Sequence, residues 1–161
     1  MSRQREQRLR RVEEILQKEL DKRVAQLSEA RNEQAKATEA LSLAEDKILE
    51  AKDARLRAVL QGTTPEEWSA QHLWDLSLHR KKELAENRLR ESEAEVARAR
   101  EELLKARSDV DRVETILKRM ELARQQKEVR EERKTEDESA AIRAAVQISQ
   151  RRPLGTKTPE R

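Results

Sequence analysis

The chain has 161 residues, of which 43% are charged and 1% aromatic, and it contains no Phe, Tyr or Cys. This composition argues against a globule with a wide apolar core and rules out disulfide bonds and thiolate metal sites. The net charge is only +3, and a chain rich in Ala, Glu, Lys, Leu and Arg is typical of a coiled coil.

The sequence contains no signal for a membrane. No stretch approaches the roughly 18 apolar residues that a spanning helix needs, and the arginine-rich start has no apolar run behind it to make a signal peptide. We therefore expect a cytosolic protein without a membrane span.

Residues from about 3 to 61 are predicted to form the first helix. It begins with a basic segment whose arginines are Arg3, Arg5, Arg8, Arg10 and Arg11. Further along, apolar residues recur every seven positions in two rows. One row holds Leu20, Leu27, Gln34, Leu41, Ile48 and Arg55, with two polar residues among the apolar ones, and the other holds Ala30, Ala37, Ala44, Ala51 and Ala58. Rows with this spacing are the a and d positions of a coiled coil.

The helical pattern breaks at residues 62 to 64, in the sequence Gly-Thr-Thr. Gly62 can adopt the left-handed conformation that closes a helix, and Pro65 suits the first position of a new one. Thr64 and Glu67 have the Thr-x-x-Glu spacing of a capping box. The sequence therefore predicts a turn at 62–64 and a second helix from about 65 to 148.

The second helix carries a matching seam. One row is Leu89, Val96, Leu103, Val110 and Leu117, and the other is Ala85, Ser92, Ala99, Ala106, Val113 and Met120. With the turn centred on residue 63, antiparallel partners have numbers that add to about 126, and Leu27 then lies opposite Ala99. Sums of about 119 or 133 also fit the rows, and the turn chemistry selects 126. The predicted fold is all-α, a long antiparallel two-helix coiled-coil hairpin.

The start of helix 2 is apolar on more than one face. The seam places Trp68 and Leu78 inward. The residues left on the outside form a surface that we call the tip face: His72, Leu73, Leu76, His79 and Glu83. Exposed leucines between two histidines favour a docking site. In the alternative interpretation, helix 1 bends or the register slips, so that both leucines pack within the hairpin.

From about residue 124, helix 2 extends past the end of helix 1 as a single-helix overhang. It has little apolar patterning and is expected to fray unless a partner holds it. Basic residues in and beside it are Arg119, Arg124, Lys127, Arg130, Arg133 and Lys134. Residues 1–150 thus form the hairpin domain, and residues 151–161, with two prolines and a glycine, are predicted to be a disordered tail.

No pattern in the sequence indicates an enzyme. His72 and His79 are seven residues apart, and a metal ion would need further ligands beside them. The carboxylates have no cleft in which to act as catalytic acids or bases. The tail sequence GTKT lacks the first glycine of a phosphate-binding loop. We expect no catalytic residue, no cofactor and no metal site.

Two segments resemble the FliJ/YscO family of flagellar and virulence type III export proteins. QRLRRVEEILQKELDKRVAQLSEA is similar to the usual opening of that family. EERKTEDESA is similar to its E-x-K-x-x-D-E-x-A pattern, through Glu132, Lys134, Asp137, Glu138 and Ala140. The chain departs from the pattern at Glu136 and Ser139, where the family commonly has leucine.

The resemblance implies a non-enzymatic cytoplasmic stalk or adaptor, peripheral to the inner-membrane export apparatus of a flagellum or an injectisome. Such proteins insert their paired terminal helices into a hexameric export ATPase. They also contact the cytoplasmic domain of the export gate and, in some systems, export chaperones. The implied ATPase contacts are Arg5, Arg8, Arg10, Arg11, Arg119, Arg124, Lys127 and Arg130. The implied gate contact is the tip face.

Two other classes of function stay open at this level. A structural coiled coil could self-associate and bury the tip face between copies. A nucleic-acid-binding coiled coil would use its terminal arginines and show a steep salt dependence. Nucleic acid is the less favoured partner, because the arginines are interspersed with carboxylates and no aromatic residue lies near them for base stacking.

Overall fold

The computed structural model describes residues 2 to 151, which form two long α-helices. α1 spans Ser2–Gln61 and α2 spans Pro65–Arg151, and they pack against each other as a hairpin. This confirms the predicted all-α fold. The predicted disordered tail lies outside the described residues, except for Arg151, which is the last residue of α2.

Helix α1 ends at a glycine in the left-handed region. Gly62 has a φ of 91°, and its N–H donates to the main-chain oxygen of Val59 over 3.4 Å. The hydroxyl of Thr63 donates to the main-chain oxygen of Ala58 over 2.9 Å. These bonds satisfy carbonyl groups that have no partner within the helix, so the chain can leave α1 without unpaired acceptors.

Helix α2 begins with a reciprocal capping box. The N–H of Glu67 donates to the hydroxyl oxygen of Thr64, and the N–H of Thr64 donates to the carboxylate of Glu67, each over 3.3 Å. Pro65 occupies the first helical position, where a missing N–H leaves no bond unmade. Glu66 and Glu67 also place negative charge in the first turn, where it interacts favourably with the helix dipole.

The described chain divides into two units by its internal contacts. Arg10–Val113 form the first, which we call the hairpin unit. Residues up to Leu9 and residues from Glu114 onward form the second, which we call the terminal unit.

The core of the hairpin unit is a narrow seam. Its buried side chains are Leu27, Ile48, Leu78, Ala85, Ser92, Val96, Ala106 and Val110. Each of them belongs to one of the predicted heptad rows. No described side chain is fully buried, because two helices can cover only one face of each other. The apolar core is therefore limited to residues on the seam.

Two ion pairs across the hairpin unit are compatible with the predicted register. Arg23 Nη1 lies 2.6 Å from Glu102 Oε2, and Arg55 pairs with Asp75. Glu102 is one residue away from the position predicted opposite Arg23. Asp75 is one helical turn away from the position predicted opposite Arg55, which is within the reach of an arginine side chain.

Gly62→Ala is expected to lower the free energy of unfolding by about 1–2 kcal/mol. No atom lies within 4 Å of an added Cβ, so the cost comes from the left-handed backbone and not from a clash. Gly62→Asn should cost less, because Asn tolerates this conformation. Urea unfolding followed by helical circular dichroism measures both changes. Equal losses for the two variants would contradict this account of the turn.

Ala106→Leu is expected to destabilise the protein by about 1–3 kcal/mol. In the predicted register Ala106 lies opposite Leu20, so the larger side chain would crowd the seam. The matched control is Ala97→Leu, an exposed position on the same helix, which should change stability by no more than about 0.5 kcal/mol. Thermal unfolding of both variants makes the comparison. Similar stabilities would mean that the seam has room opposite Ala106.

Candidate functional site

The tip face lies on α2 within the hairpin unit, and all five of its residues are exposed. Leu73 and Leu76 are 67% and 55% exposed, so the alternative in which these leucines pack within the hairpin is wrong. His79 Nδ1 donates to the main-chain oxygen of Asp75 over 2.8 Å, which leaves Nε2 as an acceptor in the neutral ring. The face presents apolar surface with polar groups beside it, a composition suited to a protein partner.

Trp68 was predicted to face inward, and this is wrong because its side chain is 47% exposed. The guanidinium of Arg55, which is partly buried, lies 5.5 Å from the centre of its ring. Trp74 is also exposed, with the ammonium of Lys81 5.6 Å from its ring. Such contacts orient an exposed ring and contribute about 0.5–1 kcal/mol each.

A polar cluster replaces the apolar seam near the turn. Arg55 and Asp75 form an ion pair with side chains that are 31% and 17% exposed. The side-chain oxygen of Gln71 is buried, with no hydrogen-bond partner among the described residues. A partly buried ion pair contributes little net stability but penalises shifted registers, in which its charges would lose their partners.

Sequence reasoning missed that α1 also exposes apolar residues near the turn. These are Leu49, Leu56, Val59 and Leu60. A signal was present, since Leu49 and Leu56 are seven residues apart at positions outside the seam. The part of the hairpin unit next to the turn therefore presents apolar side chains on both helices, and the accessible apolar surface is larger than the tip face alone.

The residues predicted to contact an ATPase are divided between the units. The terminal unit holds Arg5, Arg8, Arg119, Arg124, Lys127 and Arg130, and the hairpin unit holds Arg10 and Arg11. All eight are exposed. The structure therefore brings basic residues from both ends of the described chain into one unit.

Carboxylates partly neutralise this basic surface. Arg124 Nη2 lies 2.6 Å from Glu121 Oε2, and its Nε lies 3.8 Å from Glu128 Oε1. The hydrogen bond and the charge of Glu121 raise the pKa of Arg124, and the charge of Glu6 on α1 acts in the same direction. Lys127 pairs with Glu131 over 3.8 Å. Arg124 and Lys127 therefore each lie beside a carboxylate of the same helix.

The overhang is helical as far as Arg151, although every side chain from Leu122 onward in the described part is exposed. Its ion pairs at spacings of three and four residues contribute about 0.2–0.5 kcal/mol each. They are one physical reason why a helix without a packing face can persist here. The large apolar residues that it exposes are Leu122, Val129, Ile142, Val146 and Ile148.

The described residues show neither a metal site nor a membrane-spanning helix. Between residues 2 and 151, no three His, Asp or Glu side chains form a group that could hold a metal ion. Neither helix contains a stretch apolar enough, over the required length, to cross a membrane.

Comparison with known proteins gives a match to a protein family. The family described as Flagellar FliJ protein matches residues 4–149, a span that includes most of α1 and α2. No curated protein and no solved structure matches the chain.

A double-mutant cycle with Arg55→Met and Asp75→Asn is expected to give a coupling free energy of about 1 kcal/mol, because both side chains are partly shielded from water. The control is the pair Asp109 and Arg112, whose side chains are both more than half exposed and which should couple by about 0.5 kcal/mol or less. Urea unfolding measures both cycles. Coupling no larger than in the control would show that water screens the Arg55 pair as well.

Proposed function

The chain belongs to the flagellar FliJ protein family, and on that premise we propose that it is the non-enzymatic stalk of a type III export machine. Membership of the family makes it a component of the flagellar export apparatus. The finer proposal is that the terminal unit inserts into the hexameric export ATPase and that the tip face contacts the cytoplasmic domain of the export gate. The protein would then act in the cytoplasm, at the inner-membrane apparatus.

The observation that carries this proposal is the family match over residues 4–149. It extends over both helices, so the hairpin as a whole corresponds to the family. The family description favours a flagellum over an injectisome.

The ATPase contact is supported by the composition of the terminal unit. Both the start of α1 and the late part of α2 belong to this unit, which is what joint insertion of the two termini requires. Its exposed arginines and lysines can meet acidic groups on the inner surface of a ring. The ATPase would hydrolyse the nucleotide, and this chain would contribute a stiff helical element without chemistry of its own.

The gate contact is supported by the exposure of the tip face. Leucines at helical spacing with flanking polar groups are typical of the centre of a protein interface, where a few apolar anchors supply most of the affinity. The histidines and Glu83 can then fix the orientation of the partner by hydrogen bonds. Nearby Trp68, which is 47% exposed, adds a large side chain of the type enriched at interfaces.

The test is a pull-down of the purified full chain with the export ATPase and, separately, with the cytoplasmic domain of the export gate from the same cell. Replacing His72, Leu76 and His79 by alanine should weaken gate binding at least tenfold, because one apolar anchor and two hydrogen-bonding rings are lost. ATPase binding should be unchanged. The double variant Arg119→Glu, Arg130→Glu should weaken ATPase binding and leave gate binding unchanged.

Matched controls separate contact from folding. Leu104→Ala removes an equally exposed leucine outside the tip face, and Arg100→Glu reverses an exposed charge in the hairpin unit. Both should leave the two interactions intact, and circular dichroism should show full helicity for every variant. The stalk proposal fails if the folded chain binds neither partner. Equal loss of both contacts in the alanine variant would make the tip face a structural element.

A further inference from the structure

A second apolar surface lies within the hairpin unit, away from the tip face. It is a groove of about 400 Å³, which we call the cationic groove. Leu43 of α1 and Leu84 of α2 form its walls, and each is 55% exposed. Ala44 and Ala85 line it between them. Small residues on the seam leave room for the side chains of a partner.

The cationic groove and the tip face lie on opposite flanks of the seam. Lys81 and Arg88, which line the groove, each immediately precede a seam position on α2. His72 and His79 of the tip face each immediately follow one. In a coiled coil these are the g and e positions, which flank the seam on its two sides. The groove is therefore a separate surface from the tip face.

Two similar segments build the groove. LAEDK covers residues 43 to 47 on α1, and LAENR covers residues 84 to 88 on α2. Because the helices are antiparallel, each segment supplies one leucine wall, one alanine and, four residues after the leucine, one cation. The cations are Lys47 and Arg88, and Lys81 adds a third. No carboxylate lines the groove.

The same flank becomes acidic farther from the turn. The depression there is lined by one arginine, Arg98, and by four glutamates, Glu29, Glu33, Glu95 and Glu102, and its apolar lining consists of two alanines. The groove and this acidic depression are about 20 Å apart along the helices, from the rise of 1.5 Å per residue. Both the charge and the apolar surface of the flank therefore change along its length.

A second copy of this chain is a poor occupant. Two cationic grooves placed face to face would bring like charges together. If the cationic groove of one copy met the acidic depression of the other, charges would pair, but Leu43 and Leu84 would be buried against glutamates. Burying carboxylates against apolar side chains is unfavourable. A complementary surface must offer apolar side chains and carboxylates at the same place.

We propose that the cationic groove binds an amphipathic helix of another protein, with large apolar side chains seated between Leu43 and Leu84 and carboxylates facing Lys47, Lys81 and Arg88. A helix laid in a groove is a common recognition mode, in which apolar residues at spacings of three and four anchor one face. The surrounding charges select the sign of the partner. This interaction does not depend on the ATPase and gate contacts proposed above.

The test uses two synthetic helical peptides that share the same leucines at positions i and i+4. One carries glutamates beside the leucines and the other carries lysines. The full chain should bind the acidic peptide about tenfold more tightly than the basic one, as measured by fluorescence anisotropy. The variant with Lys47→Glu, Lys81→Glu and Arg88→Glu should reverse this preference. Equal affinity for the two peptides, or no binding of the acidic one, overturns the proposal.

Leucine variants test the apolar part. Leu43→Ser and Leu84→Ser should each weaken binding of the acidic peptide by about tenfold, whereas Leu104→Ser, which changes a leucine that is 66% exposed and outside the groove, should not. Circular dichroism checks that all three remain helical. If a single-stranded DNA oligomer of equal charge binds as tightly, the groove is a general polyanion site. A dimer in light scattering that Leu84→Ser dissociates would identify a second copy as the occupant.

Discussion

A hairpin of two helices has one seam in which to bury apolar side chains, and every other feature of this protein follows from that restriction. In the predicted register Leu27 lies opposite Ala99, which lets the helices approach closely there, and no described side chain is fully buried. Stability therefore depends on register, because the seam residues of one helix must lie opposite those of the other. The turn at Gly62 and the capping box at Thr64 determine where α1 stops and α2 starts, and hence which residues are opposite each other.

The same restriction explains why so much apolar surface remains available to partners. A leucine outside the two rows has no second layer to pack against, so it is exposed unless another molecule covers it. Leu73 and Leu76 are exposed for this reason on one flank of the seam, and Leu43 and Leu84 on the other. In a monomeric globule such residues would be buried in the core. In a member of an export-apparatus family they are candidate contacts for partners.

Charge is organised locally in this chain. In the terminal unit, Arg124 and Lys127 have carboxylates three or four residues away, and these pairs favour the helical state of a segment that buries nothing. In the hairpin unit, the lining of one flank changes from cationic to acidic along the helices. The near balance of charge over the whole chain therefore conceals surfaces of opposite sign, each able to select a different partner.

The sequence by itself determined the helical hairpin and the position of its turn; it favoured an outward tip face but left open that Leu73 and Leu76 pack within the hairpin, which their exposure excludes. The hairpin and its turn follow from signals that are local, such as the capping box, or periodic along a single helix, such as the heptad rows. Only the tertiary structure decided that Trp68 is half exposed beneath Arg55, that Arg55 pairs with Asp75, and that LAEDK and LAENR meet to form one groove. The physical reason is that these contacts join side chains of two helices. The register determines which backbone positions lie opposite each other. The conformation of a long side chain and the space between two leucines depend, in addition, on the neighbouring side chains of both helices.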